Sequence, residues 1–197
     1  MKKYKNIIFD FGNVLATFDM NDLLIRCFGR CDQALKNCIF FDWNGFDEGK
    51  YSNEEYVQNV LNHVSKDDYD AIIHFFNTWF RVLQPIDEML VWIDELKNQG
   101  YHLYILSNAP VIFEEYVTNY SFVKLFDGSV FSGSIKIAKP DSKIYQYLMD
   151  KYQLNKEECL FIDDKLENVE ASREFGMDAI VYHNNLEEIM NIVKGSN

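Results

Sequence analysis

Lys5-Asn6-Ile7-Ile8-Phe9-Asp10-Phe11-Gly12-Asn13-Val14-Leu15 sets a short apolar run against an abrupt acid and a glycine. Residues 5–9 are too few for a stable helix and read as a buried strand that stops at a polar loop. The pattern returns along the chain. Residues 101–106 form a second run ending at Ser107-Asn108, and 128–131 a shorter third. Residues 159–162 form a fourth, ending at Asp163-Asp164, and 179–182 a fifth. Helical patterns separate them: 86–98 with Gly100 as a stop, 142–152 after Pro140-Asp141, and 166–175 closed by Gly176.

This alternation predicts an α/β fold, a doubly wound Rossmann-like parallel sheet covered by helices on both faces. Residues 18–83 break the rhythm. They carry helical stretches at 20–27, 53–64 and 67–80 and no clear buried strand, so they read as a helical insertion after the first strand. Gln84-Pro85 is a natural return, because proline disfavours helix at the residue before it. The expected division is therefore a core of residues 1–17 and 84–197 and a helical unit of residues 18–83.

The formal net charge of -12 argues against nucleic acid and anionic membrane as partners, since phosphate backbones need clustered cations. No apolar run is long enough to span a bilayer. The first residues begin as a signal peptide would, but Asp10 interrupts the apolar stretch and no small-residue cleavage site follows, so a cytoplasmic protein is expected. Cys27, Cys31, Cys38 and Cys159 match no zinc spacing and read as reduced thiols. His63, His74, His102 and His183 are scattered and form no paired ligand motif.

In a doubly wound sheet, ligands bind beyond the carboxyl ends of the strands, where the strand order reverses. Asp10, Ser107-Asn108 and Asp163-Asp164 would meet there, with Lys139 ahead of Pro140. Each group alone has an ordinary explanation as a turn or cap residue. Together, in order, they suit phosphoryl transfer. A carboxylate can attack phosphorus and form an acyl phosphate. A divalent cation is needed to cancel the repulsion between that carboxylate and a phosphate dianion. Magnesium prefers oxygen ligands. Asp10, a loop carbonyl and Asp164 supply them, with Asp163 either a further ligand or a support. The Ser107 hydroxyl and nearby backbone N–H groups suit phosphoryl oxygens, and Lys139 adds a point charge.

The set Phe9-Asp10-Phe11-Gly12-Asn13-Val14-Leu15, Leu106-Ser107-Asn108, Lys139-Pro140 and Phe161-Ile162-Asp163-Asp164 resembles the haloacid dehalogenase-like hydrolase superfamily over nearly the whole chain. The insertion looks like that superfamily's cap domain. The Asp-x-Gly-Asn-Val motif and the cap length are most similar to bacterial alpha-D-glucose-1-phosphate phosphatases. The resemblance implies Asp10 as nucleophile and magnesium ligand, Gly12 as carbonyl ligand and Asp164 as the direct ligand of the acidic pair. It also implies that Ser107 and Asn108 bind the phosphoryl group, with Lys139 steadying both nucleophile and phosphate. The expected activity is magnesium-dependent hydrolysis of a small phosphorylated metabolite, such as glucose 1-phosphate, through an aspartyl-phosphate intermediate.

Gly12 departs from the resemblance. Most phosphatases of the superfamily carry there a second aspartate that serves as general acid–base, and such help is typically worth ~100- to 10,000-fold in rate. An anomeric sugar hydroxyl leaves more readily than an ordinary alcohol, which suits a sugar 1-phosphate. Residues 41–50 read as a loop mixing aromatics with hydrogen-bonding groups, and Trp43, Asp47 and Glu48 are the candidate specificity residues of the cap. The rival readings are a 2-haloacid dehalogenase, which needs no metal, and a phosphate-binding member without turnover.

Overall fold

The computed structural model describes residues 3–195. Among the described residues, five strands form one parallel sheet. They are β1 (Asn6–Phe9), β2 (His102–Ser107), β3 (Gly128–Phe131), β4 (Cys159–Asp163) and β5 (Asp178–Val181), in the spatial order β3-β2-β1-β4-β5. The connections leave β1 toward β2 and β3, then return past it to β4 and β5. The order therefore reverses beside β1, the geometry that opens a crevice at the strands' carboxyl ends.

Alternation along the strands divides the core. Ile7, Phe9, Leu103, Ile105, Leu160 and Ile162 point into one apolar cluster, and Ile8, Tyr104, Leu106, Phe161 and Ala179 into the other. The insertion supplies α1 (Met20–Phe28), α2 (Gln33–Ile39), α3 (Trp43–Asp47), α4 (Asn53–Leu61) and α5 (Tyr69–Thr78). Beyond it run α6 (Asp87–Asn98), α7 (Val111–Val117), α8 (Ser132–Ile135), α9 (Ser142–Tyr152), α10 (Leu166–Phe175) and α11 (Leu186–Lys194). Met89, Trp92, Ile93 and Leu96 of α6, with Ile189 and Val193 of α11, pack in the first cluster. Ile144, Tyr145 and Leu148 of α9, with Val169 of α10, pack in the second. The sheet is thus covered on both faces, as predicted. No helix of the described residues is long and apolar enough to cross a membrane.

Two readings of the insertion change. Residues 41–50 are not loop throughout, because Asp42 accepts from the Gly45 N–H at 3.1 Å and starts α3, while Trp43 and Phe46 turn inward. The pattern at 67–80 divides into a 3-10 turn, Lys66–Asp68, then α5 and a second 3-10 turn, Trp79–Arg81. The two ends of the insertion are tied to each other. The Thr17 N–H donates to Gln84 O at 2.8 Å, the Ile86 N–H donates to Leu15 O at 3.0 Å, and Ala16 bridges Pro85 in antiparallel fashion.

Candidate active site

β2 and β4 flank β1, so Ser107, Asp10 and Asp163-Asp164 leave the sheet side by side. Lys139 joins them from the loop before α9. Its ammonium donates to Asp10 Oδ1 at 2.8 Å, to Asp163 Oδ2 at 2.7 Å and to Leu106 O at 2.8 Å. Those three bonds use all three of its hydrogens. The side chain is almost fully buried. Burial alone would strip its charge, but Asp10 and Asp163 hold the ammonium above its usual pKa.

Asp163 is fully buried and held from every side. Besides Lys139, it accepts from the Lys165 N–H at 2.8 Å, and both its oxygens accept from Asn168 Nδ2 at 3.0 Å. Asp164 is partly exposed and accepts from Asn13 Nδ2 at 3.0 Å. Asn13 sits at φ 55°, a left-handed conformation asparagine tolerates, and its Oδ1 accepts from the Phe18 N–H at 2.9 Å. The motif residue between Gly12 and Val14 thereby joins the acidic pair to the root of the insertion.

Carboxylate oxygens of Asp10, Asp163 and Asp164 lie within 4.8 Å of one another. One buried ammonium faces three acids, which leaves an excess of negative charge. The Asp10 carboxyl is accordingly pushed up to about 6, chiefly by burial and against the pull of Lys139, with Asp163 and Asp164 adding repulsion. A hard, oxygen-preferring divalent cation fits this donor set, since it would relieve the excess directly.

Ser107 is buried at the end of β2 and lines the pocket with Asn108. The Asn108 amide is engaged elsewhere. Its Oδ1 accepts from the Lys139 N–H and its Nδ2 donates to Lys139 O, both at 2.8 Å. The side chain read as a phosphoryl ligand therefore fixes the backbone that carries Lys139.

The insertion forms the facing wall. Phe18, Met20, Trp43, Trp79 and Leu83, with Phe113 from α7, give that wall an apolar character. The pocket holds about 730 Å³ of empty space, part of it open to solvent. Trp43 is buried, with ring centroids 4.8 Å from Phe40 and 5.2 Å from Trp79, so it lines the pocket while packing among the aromatics of the insertion. Asn44 and Asp47 also reach the pocket. Glu48 does not line it and pairs with Lys50 at 3.2 Å.

Asp47 is fastened to the core through its backbone. Ser132 Oγ donates to Asp47 O at 2.5 Å and accepts from the Ala109 N–H at 2.9 Å. Beside it Gly49, at φ 76°, lies so close to Gly133 that a Cβ would sit 2.3 Å from Gly133 O. Crowding by protein lifts the Asp47 carboxyl well above the usual carboxylate range. Lys165 pulls against that rise, Asp10 adds to it and Lys139 opposes it. Asn13, Asn168 and Ser132 are absent from the expected set. Only Asn13 carried a signal, its place inside the first motif.

Residues 7–182 match the family model described as haloacid dehalogenase-like hydrolase. The chain is 27% identical to a sesquiterpene phosphatase of Aspergillus oryzae over 88% of this chain and 87% of that one. It is 24% identical to a D-ribitol-5-phosphate phosphatase of Bacteroides thetaiotaomicron, over 88% of this chain and 89% of the relative. A crystal structure of a HAD family enzyme from Bacteroides thetaiotaomicron, solved as a magnesium complex, superimposes with a TM-score of 0.76. It is 22% identical and covers 96% of this chain and 99% of its own.

Proposed function

The chain belongs to the haloacid dehalogenase-like hydrolase family, and from that premise we propose that it is a magnesium-dependent phosphatase acting on a small phosphomonoester. One observation carries the reading. Asp10 stands at the reversal of the strand order, paired with Lys139 and crowded by two further acids whose combined charge a divalent cation would offset. Asp10, Asp164 and the Gly12 carbonyl would hold magnesium, with Asp163 supporting through Lys139 and Asn168. The ion would offset the charge of the phosphoryl group and so let a carboxylate approach phosphorus. Asp10 attacks, the bond from phosphorus to the alcohol oxygen breaks, and water then hydrolyses the aspartyl phosphate. Lys139 keeps Asp10 anionic and oriented. Ser107 receives phosphoryl oxygens, and Asn108 fixes the Lys139 backbone. Residues 18–83 act as a cap over the core of residues 1–17 and 84–197, a division supported by the hydrogen-bonded root at Thr17 and Gln84.

The apolar wall supports an alcohol part with a substantial apolar face, in keeping with the relative named as a sesquiterpene phosphatase. A sugar phosphate such as glucose 1-phosphate is the second reading. Gly12 favours it, because an anomeric hydroxyl needs less protonation on leaving.

The test is phosphate release from an aryl phosphate, with magnesium and with a chelator. Magnesium-dependent release that Asp10→Asn abolishes is the expected result. A panel of prenyl, alkyl and sugar phosphates then orders the two substrate readings. Metal-independent halide release from a 2-haloacid would instead establish the dehalogenase, and stable phosphorylation of Asp10 without turnover the binding protein.

A further inference from the structure

With Gly12 at the position two residues beyond Asp10, that loop offers no side chain to move a proton. The opposite wall does offer one. Asp47 ends α3 and lines the same pocket as Asp10, Lys139 and Asp164. Its main chain is fixed to the core through Ser132, and the Gly49–Gly133 approach leaves little slack in the turn that follows. The carboxyl therefore projects from a positioned backbone. Its charged surroundings are Lys165 at the start of α10 and the Asp10–Lys139 pair. The other acids of its segment are engaged elsewhere, Asp42 with Tyr51 and the Gly45 N–H, Glu48 with Lys50.

We propose that Asp47 is the general acid–base of the reaction, supplied by the cap in place of the side chain that Gly12 lacks. This rests on the phosphatase reading of the site. In the first step Asp10 forms a bond to phosphorus, the bond to the alcohol oxygen breaks, and the Asp47 carboxyl proton passes to that oxygen, releasing a neutral alcohol. In the second step the Asp47 carboxylate takes a proton from water as the water oxygen attacks phosphorus. The bond from phosphorus to Asp10 breaks, phosphate departs, and Asp47 is again protonated. Crowding by protein shifts the Asp47 carboxyl upward, in the direction that favours the proton-bearing form the first step needs.

The assignment ties catalysis to cap position. A cap displaced from the core would remove the proton donor along with the apolar wall, so only a closed molecule would cleave an alkyl phosphate.

The test is Asp47→Asn in the magnesium-loaded enzyme, assayed on p-nitrophenyl phosphate and on phenethyl phosphate. Nitrophenolate leaves without protonation, whereas phenethyl alcohol does not. The expected result is a loss of kcat/KM of ~100- to 10,000-fold on the alkyl ester and of less than about tenfold on the aryl ester. The aryl ester should also show a burst of nitrophenolate and a build-up of phosphorylated Asp10, because hydrolysis of the intermediate lacks its base. Retained kcat/KM on the aryl ester shows that the variant is folded. Equal losses on both esters, or no loss on either, overturn the assignment. If wild type gives no Asp10-dependent release at all, the phosphatase reading falls first, so the two failures are distinguishable.

Discussion

At the residue scale, Lys139 is the linchpin of the site. Removing its ammonium leaves Asp10 and Asp163 buried and facing each other, and loss of one member of a buried ion pair costs about 3–5 kcal/mol. Lys139→Met should therefore unfold at lower urea than wild type in chelator, and magnesium should recover part of the deficit. Gly12 invites the opposite change. A Cβ there would meet only Phe18 Cβ, at 3.6 Å, so Gly12→Asp should fold normally. Added to Asp47→Asn, it should restore at least about tenfold of the alkyl-phosphate turnover that the single variant loses, measured as kcat/KM. Asp10, Ser107 and Asp163-Asp164 are legible in the sequence because each stands at the end of an apolar run, and Lys139 because it precedes Pro140 just ahead of a helical pattern. Asn168 and Ser132 are not. Ser132 holds the Asp47 carbonyl, 85 residues away in the chain, and no local pattern marks so distant a partner. Asn168 holds Asp163 from only five residues on, but a buried asparagine inside a helical pattern looks like any other polar helix residue.

The element that carries most weight for its length is α3. Five residues cannot sustain a helix by propensity, so α3 depends on its cap and on the inward packing of Trp43 and Phe46. A Cβ at Gly45 would lie 2.3 Å from Asp42 Oδ2 and evict the capping carboxylate. Gly45→Ala should cost about 1–2 kcal/mol in chemical denaturation, the scale of a lost N-cap. It should lower kcat on alkyl phosphates more than on aryl phosphates, because Asp47 rides on the same turn. Unequal legibility follows from similar physics. The five strands and α6, α9 and α10 are announced by apolar period and by glycine or proline punctuation. α3 mixes glycine, acids and aromatics in one turn, which reads as loop until the Asp42 cap is seen in place.

For the whole molecule, the acid cluster sets how stability responds to pH. The Asp10 carboxyl lies at about 6 in the folded chain against 3.8 in the unfolded one, and Asp47 is shifted in the same direction. Folded pKa values above the unfolded ones mean that the folded state holds protons the unfolded chain has released. This contribution favours folding at low pH and is lost as pH rises from about 4 through 6 and beyond. Asp127 and Asp178 are shifted the other way, so their stabilisation is lost only below the ordinary carboxylate range. Metal-free protein should therefore melt at a lower temperature near pH 8 than near pH 5, and Asp10→Asn should flatten that slope. Magnesium should raise the melting temperature most at the higher pH. Thermal melts across pH, in chelator and in magnesium, check all three. A metal-free profile that climbs toward pH 8 would contradict the charge assignment.

The root of the insertion has a consequence for how such a chain can vary. Because Thr17 and Gln84 are already hydrogen-bonded across the base, with Ala16 beside Pro85, the core sees whatever lies between them as a closed loop. Doubling a flexible loop adds only about 0.6 kcal/mol of closure entropy. Lengthening, shortening or exchanging the helices beyond that stem, the α3 turn that carries Asp47 excepted, would thus burden the five-stranded sheet very little in polymer terms, and substrate preference could drift by insertion and deletion while Asp10, Lys139 and the acidic pair stay in register.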